Sequence, residues 1–482
     1  MGGRRPALLA VLAAGAVAAG LIAPSAYGAH AARPAGCDWP MYGQNPARTF
    51  STKCAQAPSA SNVSQLLPKW YFRAHDVITA SPSIVGNTVY VGAWDGQFYA
   101  LDLATGQPVW QTTLGPRRTD GNADHHTGSY GTITGSAAVA TVGRRQLVFV
   151  GGGATMYALN ASRREMPDRD RVVWSFDVDA AHPTSSGEIE SSPVVWPGAP
   201  GGPVVFFGSD ANQDSGYAGE GMWALRAATG KVVWRFNPET YTHHGLFGCG
   251  NVWSSPALWL DPHAKSASRR AMLYFGTADC PNNGHKACPA DGSDPYCKPG
   301  GYYDYNRRWT KFSQAIIAIS AVNGKPAWSY QAFPRNDVSD DDFGAGAQVF
   351  ALASGRQVVG EANKSGHYYV VDRRSGKQIW NKAETGNGNL QSGFALGGLL
   401  GPTAEMSVAG RPMVFGSAAI NTPVYFDQIS GKEKLQSTDK ILDMATPIQG
   451  FDGATGNRVW AAVQPPTYGP TTAANGVVYS GA

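Results

Sequence analysis

Acidic side chains are concentrated in the segment PRNDVSDDDFGAG at 334–346, which contains Asp337, Asp340, Asp341 and Asp342. Carboxylates this close together raise one another's pKa, which suits a residue that accepts a proton from a substrate. The same grouping suits a loop that binds a metal ion, and it also suits a charged surface turn. The composition of the segment leaves all three interpretations open.

Histidines occur as two adjacent pairs, His125-His126 and His243-His244. Neighbouring residues of a strand point apart, so at most one member of the first pair can face a given site. A metal site built from both pairs is the weaker interpretation. The sequence contains no His-Glu-x-x-His, no phosphate-binding glycine loop and no serine-hydrolase elbow, which argues against those three enzyme classes.

Six cysteines follow residue 31, and an even number in an exported chain favours disulfides. They are Cys37, Cys54, Cys249, Cys280, Cys288 and Cys297. We expect a Cys37–Cys54 bridge and two further bridges within 249–297. The alternative, a metal site, is disfavoured because there is no Cys-x-x-Cys pair. Without Cys-x-x-Cys-His, no covalently attached haem is expected.

A repeated phrase organises the chain that must position these residues. A small turn is followed by a strand that ends in tryptophan, as in ATGQPVW, ATGKVVW, VNGKPAW, RSGKQIW and ATGNRVW, whose tryptophans are Trp110, Trp234, Trp328, Trp380 and Trp460. A second phrase lies upstream of most copies: small residues, often with proline, then an apolar strand, as in SSPVVW at 191–196. Self-similarity of this kind is typical of repeat architectures.

The clearest unit, residues 79–111, contains four short apolar runs separated by Gly-Asn, Asp-Gly and Thr-Gly. These dipeptides are turn signals, and the runs are too short for helices and rich in β-formers. The pattern predicts an all-β fold, a β-propeller of seven or eight four-stranded antiparallel blades. The repeat tryptophans are predicted to be core residues that wedge between neighbouring blades.

Three segments are expected: a secretory signal peptide at 1–31, an N-terminal segment with a ring-closing strand at 32–78, and repeats over 79–482. The stretch around Trp70 is predicted to supply the outer strand of the last blade. The final VVYSGA resembles the second strand of a blade, which favours a fragment over a blade completed by the N-terminal segment alone. The protein is expected to be secreted, extracellular or periplasmic. No second segment is apolar enough to span a membrane, and a formal net charge of +4 gives no case for nucleic acid.

Over residues 45–480 the repeat phrase resembles the PQQ-binding propellers, in which pyrroloquinoline quinone (PQQ) is bound. Local motifs resemble the quinoprotein alcohol dehydrogenases, and the opening DWPMYGQNPARTF at 38–50 is most similar to the polyvinyl alcohol dehydrogenase subfamily. The resemblance implies an exported enzyme that oxidises primary or secondary, including polymeric, alcohols. It implies the cofactors PQQ and Ca²⁺ and an external electron acceptor, cytochrome c or a quinone.

The resemblance also assigns residues to the cofactor. FGCGNVWSSPALW at 247–259 resembles the segment that carries the tryptophan floor, which makes Trp253 and Asn251 cofactor-binding candidates. NKSGHYYVVDRRSGK at 363–377 resembles the segment whose cation binds the quinone oxygens, here Lys364. His126 could cap the cofactor, because the adjacent cysteines common in the family are missing. Each of these residues could instead be an ordinary core or surface residue.

The metal and the base are assigned in the same way. LYFGTADCP resembles the segment of a calcium ligand, which makes Asp279 a candidate, and Gln213 and Asp214 lie nearest the position of the family's glutamate ligand. No glutamate aligns there, so a solvated acidic loop is the alternative. Asp340 matches the catalytic base, with Asp337, Asp341 and Asp342 as rivals.

Two other functions remain open. A cofactor-free propeller that binds a partner protein or glycan would need only the repeats. The absence of the family's glutamate and the absence of adjacent cysteines favour this interpretation. A degenerate enzyme that binds PQQ but turns over poorly is the third interpretation. The local motifs favour the dehydrogenase.

Overall fold

A computed structural model describes residues 36–115, 131–178, 180, 187–211, 221–238, 242–243, 246–247, 251–278, 297–298, 302–303, 312–332, 341–383, 398–418, 424–427, 432–435, 446–465 and 467–481. The chain divides into a unit of residues 1–32, which lies outside these ranges, and a unit of residues 33–482. The predicted signal peptide therefore lies outside the described residues. No helix in the described ranges is long and apolar enough to cross a membrane.

Seven main sheets form the second unit, and we number them as blades in chain order. Blade 1 is β2 (Ser83–Val85), β3 (Thr88–Gly92), β4 (Gln97–Asp102) and β5 (Pro108–Thr113). Blade 2 is β6 (Ala138–Val142), β7 (Arg145–Gly152), β8 (Thr155–Asn160) and β9 (Val172–Asp177). Blade 3 is β10 (Gly187–Glu188), β11 (Val194–Trp196), β12 (Val204–Ala211), β13 (Gly221–Arg226) and β14 (Val232–Phe236).

Blade 4 is β17 (Ala257–Leu260), β18 (Ala271–Gly276), β21 (Ala315–Ser320) and β22 (Pro326–Gln331). Blade 5 is β23 (Gln348–Ala351), β24 (Gln357–Ala362), β25 (His367–Asp372) and β26 (Gln378–Ala383). Blade 6 is β27 (Ala404–Val408), β28 (Arg411–Ser417), β31 (Thr446–Asp452) and β32 (Arg458–Gln464). Blade 7 is β33 (Thr472–Ala474) and β34 (Val477–Tyr479), with β1 (Ser51–Thr52) parallel to β33.

Three hairpins lie outside the blades: β15 (Thr242–His243) with β16 (Leu246–Phe247), β19 (Cys297–Lys298) with β20 (Tyr302–Tyr303), and β29 (Val424–Asp427) with β30 (Lys432–Leu435). The helical elements in the described residues are one four-residue α-helix, α1 (Asp168–Arg171), and two 3-10 turns at Val63–Gln65 and Ala267–Arg269. The all-β prediction is confirmed, and the described residues form seven blades, the last of which has three described strands.

Most of the repeat tryptophans pack on a glycine turn of the next blade. Trp234 illustrates the contact: its Nε1 donates to the Ala321 carbonyl at 3.1 Å, and a Cβ on Gly324 would lie 2.7 Å from its ring. Gly324 has φ +69°, so the turn also favours glycine for its backbone. The same arrangement joins Trp70 to Gly106, Trp174 to Gly230, Trp328 to Gly376 and Trp380 to Gly456. The prediction that the repeat tryptophans wedge between blades is confirmed for Trp234, Trp328 and Trp380, whereas Trp460 is 37% exposed and makes no such contact in the described residues.

Blade 2 replaces the glycine turn with a cation. The Arg171 guanidinium lies 4.2 Å from the ring centre of Trp110, and the Trp110 Nε1 has no hydrogen-bond partner in the described residues. Arg171 is 2% exposed and donates to the carbonyls of Asn160 and Ser162, both at 2.8 Å. A cation over an indole face is attractive, so this contact substitutes for the missing turn.

The N-terminal segment 39–50, which we call the hub, touches the first strand of every blade. Its carbonyls accept N–H bonds from six blades, through Ile84, Val139, Leu258, Val349, Glu405 and Ala473, at 2.7–2.9 Å. Because one twelve-residue segment meets all of these strands, the first strands must surround it. The Cys37–Cys54 disulfide closes the segment into a loop, as predicted, while Cys249, Cys280 and Cys288, three of the four cysteines assigned to the other bridges, lie outside the described residues.

Arg48 connects the hub to the third blade and to the fourth. It is 1% exposed, and its guanidinium donates to the carbonyls of Ser192 at 2.8 Å, Pro193 at 3.0 Å and Pro256 at 2.9 Å, and also to that of Tyr42. A buried cation is tolerated only when its donors are satisfied, and four carbonyl partners meet that need.

A ring of hydroxyl groups joins consecutive blades beside the hub. The N–H of Ser81 donates to Ser136 Oγ at 2.8 Å, Ser136 to Ser192 Oγ at 2.9 Å, and Ser192 to Ser255 Oγ at 2.9 Å. These serines occupy one repeat position, two residues before the first strand of blades 1 to 4. Blade 5 carries Gly346 there, with φ +85°, and blades 6 and 7 carry Pro402 and Pro470. The ring of hydroxyl side chains is therefore interrupted over blades 5 to 7.

Glu361 lies near Gly346, at a position where blades 1 to 4 bury apolar side chains. Strand register aligns it with Val91, Val150, Phe207 and Phe275, and with Gly416 in blade 6. Glu361 is 1% exposed, and neither carboxylate oxygen has a hydrogen-bond partner in the part of the chain that is described. Burial raises the pKa of Glu361 well above its ordinary value, and the nearby Gly346 N–H, which does not reach hydrogen-bond geometry, opposes this only in part.

Replacing Arg48 by alanine should lower the free energy of unfolding by at least about 3 kcal/mol, because four carbonyls lose their donor at once. Arg48→Lys should recover little of this loss, since one ammonium cannot span carbonyls from three segments. Urea unfolding of the full chain measures both, with the exposed Arg458→Ala as control. If Arg48→Lys unfolded with the same free energy as the unaltered chain, a positive charge at this position would suffice and the four guanidinium hydrogen bonds would not be needed.

Glu361→Val should stabilise the protein at pH 8 by about 2 kcal/mol, because an orphaned buried carboxyl is replaced by the side chain used in blades 1 and 2. A carboxyl with a raised folded-state pKa loses stability as pH rises above its unfolded value of about 4.3. The gain from Glu361→Val should therefore be smaller at pH 5, and Glu361→Gln should share this trend. The exposed Glu165→Gln serves as control in thermal unfolding, and a loss of stability at pH 8 would contradict the interpretation.

Candidate functional site

The candidate site is built on one repeat position, two residues before the hydroxyl ring. Its occupants in chain order are Thr79, Thr134, Glu190, Trp253, Gly344, Leu400 and Tyr468. Because the blades share their register, these residues lie at the same end of the first strands. The indole of Trp253 is flanked by an acidic residue in blade 3 and by glycine in blade 5.

Trp253 is held by contacts on both sides of its segment. A Cβ on Gly208 would lie 2.2 Å from the Val252 carbonyl, and the Asn251 carbonyl accepts the Ala278 N–H at 3.0 Å. A Cβ on Gly344 would lie 1.7 Å from Cη2 of the indole, so only glycine lets the ring extend across that position. The ring is half-buried, which leaves part of it available to a ligand.

Lys364 lies over the same indole, in the turn between β24 and β25. Its Nζ is 5.3 Å from the Trp253 ring centre and 2.9 Å from Asp342 Oδ2. Its backbone N–H also donates to the Asp342 carbonyl at 3.0 Å, so the two residues are fixed to each other twice. The side chains of Lys364 and Asp342 are 13% and 6% exposed, and an ion pair this shielded is weakly screened by salt.

The Lys364 turn is supported by its neighbours. Asn363 is fully buried, and its Nδ2 donates to the Asp341 carbonyl at 3.1 Å. Ser365 donates to Asn363 Oδ1 at 2.6 Å and lies 3.0 Å from His367 Nδ1. Burial lowers the pKa of His367, and the Ser365 backbone opposes this. A neutral His367 leaves Lys364 as the cation of this turn.

Glu190 adds a second acidic group to the pair. Burial raises the pKa of Glu190 to about 7, with Asp342 raising it further and Lys364 lowering it. The three groups therefore lie within one another's electrostatic fields, although they belong to blades 3 and 5. Near neutral pH the cluster can hold or release one proton, a property that acid–base catalysis uses.

The arrangement fits a planar, anionic quinone. An aromatic face is exposed beside a shielded ammonium, and Asn251, 6% exposed, has an Oδ1 without a hydrogen-bond partner in the described residues. Such an orphaned buried oxygen indicates a missing partner. A carboxylate, Asp342, stands next to the ammonium and could accept a proton from a bound alcohol.

The structure brings two of the predicted residues, Trp253 and Lys364, together, and places Asn251 two residues from the indole. The predicted base Asp340, the predicted cap His126, and the predicted metal ligands Asp279, Gln213 and Asp214 lie outside the described residues. They remain predictions. In the described part of the chain, no cluster of three or more His, Cys, Asp or Glu could hold a metal ion.

Glu190 was missed by the sequence analysis, although the signal was present. The phrase Ser-Ser-Pro occurs at 191–193 and again at 254–256, and the residue directly before it is Glu190 in one copy and Trp253 in the other. Aligning the two phrases would have assigned both residues to one end of the propeller.

Comparisons with known proteins agree with this fold. Residues 39–238 and 298–386, more than half of the chain, match the family described as "PQQ: Glucose/ethanol/alcohol dehydrogenase, beta-propeller domain". Lupanine 17-hydroxylase [cytochrome c] of a Pseudomonas species is 25% identical over 66% of this chain and 44% of its own length. Polyvinylalcohol dehydrogenase of Sphingopyxis sp. (strain 113P3) is 23% identical over 85% of this chain and 56% of its own length.

Among solved structures, a europium-containing methanol dehydrogenase superposes with a TM-score of 0.63 at 19% identity, covering 92% of this chain and 81% of its own. This likeness concerns the fold alone. The chain spans about half the length of the curated relatives it matches, or less. On the extent of the family match, the chain belongs to the PQQ-type glucose, ethanol and alcohol dehydrogenase β-propeller family.

Proposed function

We propose that this chain is an exported, PQQ-dependent dehydrogenase that oxidises primary and secondary alcohols, including polymeric ones. The observation that carries the proposal is the Lys364–Asp342 pair, shielded from solvent and 5.3 Å above the ring of Trp253. A buried cation held over a half-exposed indole has no evident role in a purely structural propeller. It is useful to an enzyme that must bind a planar anion and move a proton.

PQQ, when bound, would supply a two-electron acceptor for the hydride that leaves the alcohol carbon. Trp253 would hold it by stacking, and Asn251 would offer its free side-chain oxygen to the bound group. Lys364 would donate hydrogen bonds to anionic oxygens at the edge of the site and fix the orientation of Asp342. Because the carboxylate is already oriented, little conformational entropy is lost when it approaches the hydroxyl proton of the substrate.

We assign the base to Asp342, one of the rivals of Asp340 in the acidic segment. The hydroxyl proton of the alcohol would pass to the Asp342 carboxylate. The Lys364 ammonium would offset the negative charge of that carboxylate before the transfer. Asp340 stays the alternative, and the two can be separated by substitution.

The metal remains a proposal that rests on the sequence. Ca²⁺ prefers six to eight oxygen ligands, and Asp279, Gln213 and Asp214 would supply side-chain oxygens. Its expected contribution is to polarise the reactive carbonyl of the cofactor. Activity that is lost after chelation and restored by Ca²⁺ would support these residues.

Electrons would leave to an external acceptor. The names of two relatives, lupanine 17-hydroxylase [cytochrome c] and alcohol dehydrogenase (quinone), include an acceptor, and they support cytochrome c or a quinone here. The polyvinyl alcohol relative supports a secondary alcohol substrate, and the glucose dehydrogenases make sugars the comparison substrate.

Purified protein loaded with PQQ and Ca²⁺ should reduce a dye with ethanol, 2-propanol or polyvinyl alcohol as donor. Asp342→Asn should lower kcat by about 10²–10⁴-fold, because the general base is lost. Asp340→Asn and the exposed Asp170→Asn should have small effects, and thermal unfolding should show that all variants are folded.

Quenching of protein fluorescence by PQQ separates the alternatives. No quenching would favour the cofactor-free binding propeller, whereas quenching without turnover would indicate the degenerate enzyme. Quenching should be weaker in Trp253→Ala and unchanged in Trp259→Ala, since Trp259 lies within β17 and packs against Arg373. A large loss of activity in Asp340→Asn alone would move the base to that residue.

Glu190 predicts a pH dependence. With a pKa of about 7 it is protonated below neutrality, and above neutrality its negative charge competes with Asp342 for Lys364. The rate should therefore show an inflection near pH 7 that disappears in Glu190→Gln and persists in Glu190→Asp. The measurement is kcat against pH with saturating alcohol. An unchanged inflection in Glu190→Gln would assign it to another group.

A further inference from the structure

A cavity of about 470 Å³ lies between blades 1 and 2. Its walls are the turn that joins β2 to β3, the turn that joins β6 to β7, and the segment that follows β8. Lys364 lies in a turn between a second and a third strand, whereas these two turns join first strands to second strands. Because antiparallel strands turn at alternate ends, the cavity is at the opposite end of the blades from the candidate site. It is at least one strand length away, about 25 Å for the eight residues of β7.

Three arginines line the cavity, Arg144, Arg145 and Arg163. The Ala161 N–H donates to the Gln146 carbonyl at 3.0 Å, so the segment that carries Arg163 runs alongside the other two arginines. Arg144 and Arg145 are exposed and form no ion pair within the described residues. Like charges gathered this closely repel one another, and an anion bound between them would offset the repulsion.

The Arg163 guanidinium is fixed to blade 1. It donates to the Asn87 carbonyl at 2.8 Å, to Thr88 Oγ1 at 3.0 Å and to Asp102 Oδ2 at 2.8 Å. These bonds use three of the five N–H groups of an arginine. Asp102 offsets the charge of Arg163, so Arg144 and Arg145 carry the uncompensated charge of the lining.

One further carboxylate, that of Asp38, lies beside the wall formed by blade 1. It accepts the Gly86 N–H at 3.1 Å and does not line the cavity. The side chains that line the cavity are therefore cationic or neutral.

The wall formed by residues 160–164 is already ordered. The buried guanidinium of Arg171 donates to the carbonyls of Asn160 and Ser162, both at 2.8 Å, and to that of Arg164 at 3.3 Å. A wall that is fixed in advance loses little conformational entropy when a ligand binds. The charge of Arg171 also adds to the positive potential behind this wall.

The remaining lining residues decide which kind of anion fits. Tyr90, the one aromatic residue among the described lining residues, is 1% exposed, and its hydroxyl donates to the Ala161 carbonyl at 3.3 Å. The cavity therefore offers no aromatic face on which a planar ring could stack. Amide and hydroxyl groups complete the lining, from Asn87, Gln146, Asn160 and Ser162. Guanidinium groups match carboxylate and phosphate oxygens, which can accept two parallel N–H bonds.

We propose that this cavity binds a compact polyanion that carries two or more carboxylate or phosphate groups. Arg144 and Arg145 bind one anionic group and Arg163 binds the next, while the neighbouring amides and hydroxyl bind the uncharged part of the ligand. The volume lies within the range of small-molecule sites in proteins. The site is separate from the candidate site around Trp253 and does not rest on the proposed function.

Isothermal titration calorimetry of the full chain with pyrophosphate and with citrate, in calcium-free buffer without other polyanions, tests the proposal. At least one probe should bind with one molecule per chain, and the two probes distinguish a phosphate ligand from a carboxylate ligand. Affinity should fall at least tenfold in the double variant Arg144→Ala/Arg145→Ala, because the guanidinium bonds to one anionic group are lost.

The matched control is the double variant Arg269→Ala/Arg270→Ala in blade 4. Strand register places these two adjacent, exposed arginines at the same repeat position as Arg144 and Arg145, so the control removes the same charge elsewhere on the same end of the blades. Thermal unfolding without ligand verifies that both double variants are folded. Saturating ligand should raise the unfolding midpoint of the unaltered chain and of the blade 4 variant more than that of the blade 2 variant.

The proposal is overturned if neither probe binds at millimolar concentration, or if the blade 2 variant binds as tightly as the unaltered chain. It is also overturned if the blade 4 variant loses as much affinity as the blade 2 variant, since binding would then reflect surface charge in general. These measurements need neither PQQ nor an alcohol, so this site and the proposed function can fail independently.

Discussion

The hydrogen bonds between the hub and the first strands are the constraint on which the rest of this structure depends. The carbonyls of segment 39–50 fix one N–H in each of six blades. Arg48 adds the remaining blade through its guanidinium. Because every first strand is tied to the same short segment, the strands cannot slide relative to one another. Register is therefore common to all blades.

Common register explains how the site is assembled from distant residues. Two residues before the hydroxyl ring, each blade contributes one side chain to the same end of the propeller. Trp253 can lie across blade 5 only because Gly344 has no side chain. Lys364 reaches the indole from the turn between β24 and β25 of blade 5, and its ion pair with Asp342 fixes it there. The residues of the candidate site are thus those that differ from the repeat pattern, while the shared register of the repeats aligns them at one end of the blades.

The sequence allowed much of this to be predicted, for physical reasons. The turn signals and the tryptophan phrase are local, so the blades, the tryptophan contacts and the Cys37–Cys54 bridge could be inferred. Trp253 and Lys364 were found through motif resemblance. The hub could not be inferred, because its bonds use backbone carbonyls that leave no pattern in residue types. Glu190 reaches the site through the proximity of blades 3 and 5, and Asp342 was selected by its ion pair with Lys364 within blade 5, and a linear motif encodes neither.

The hub also has a kinetic consequence. Segment 39–50 is synthesised before any blade, but its last bond is made to Ala473, more than 400 residues later. Contacts with such sequence separation form slowly, because a long loop must close before they are gained. The segment therefore completes its docking only after the last blade has formed. Folding intermediates should expose it, and a ligand that captures this segment would stall maturation without touching the finished protein.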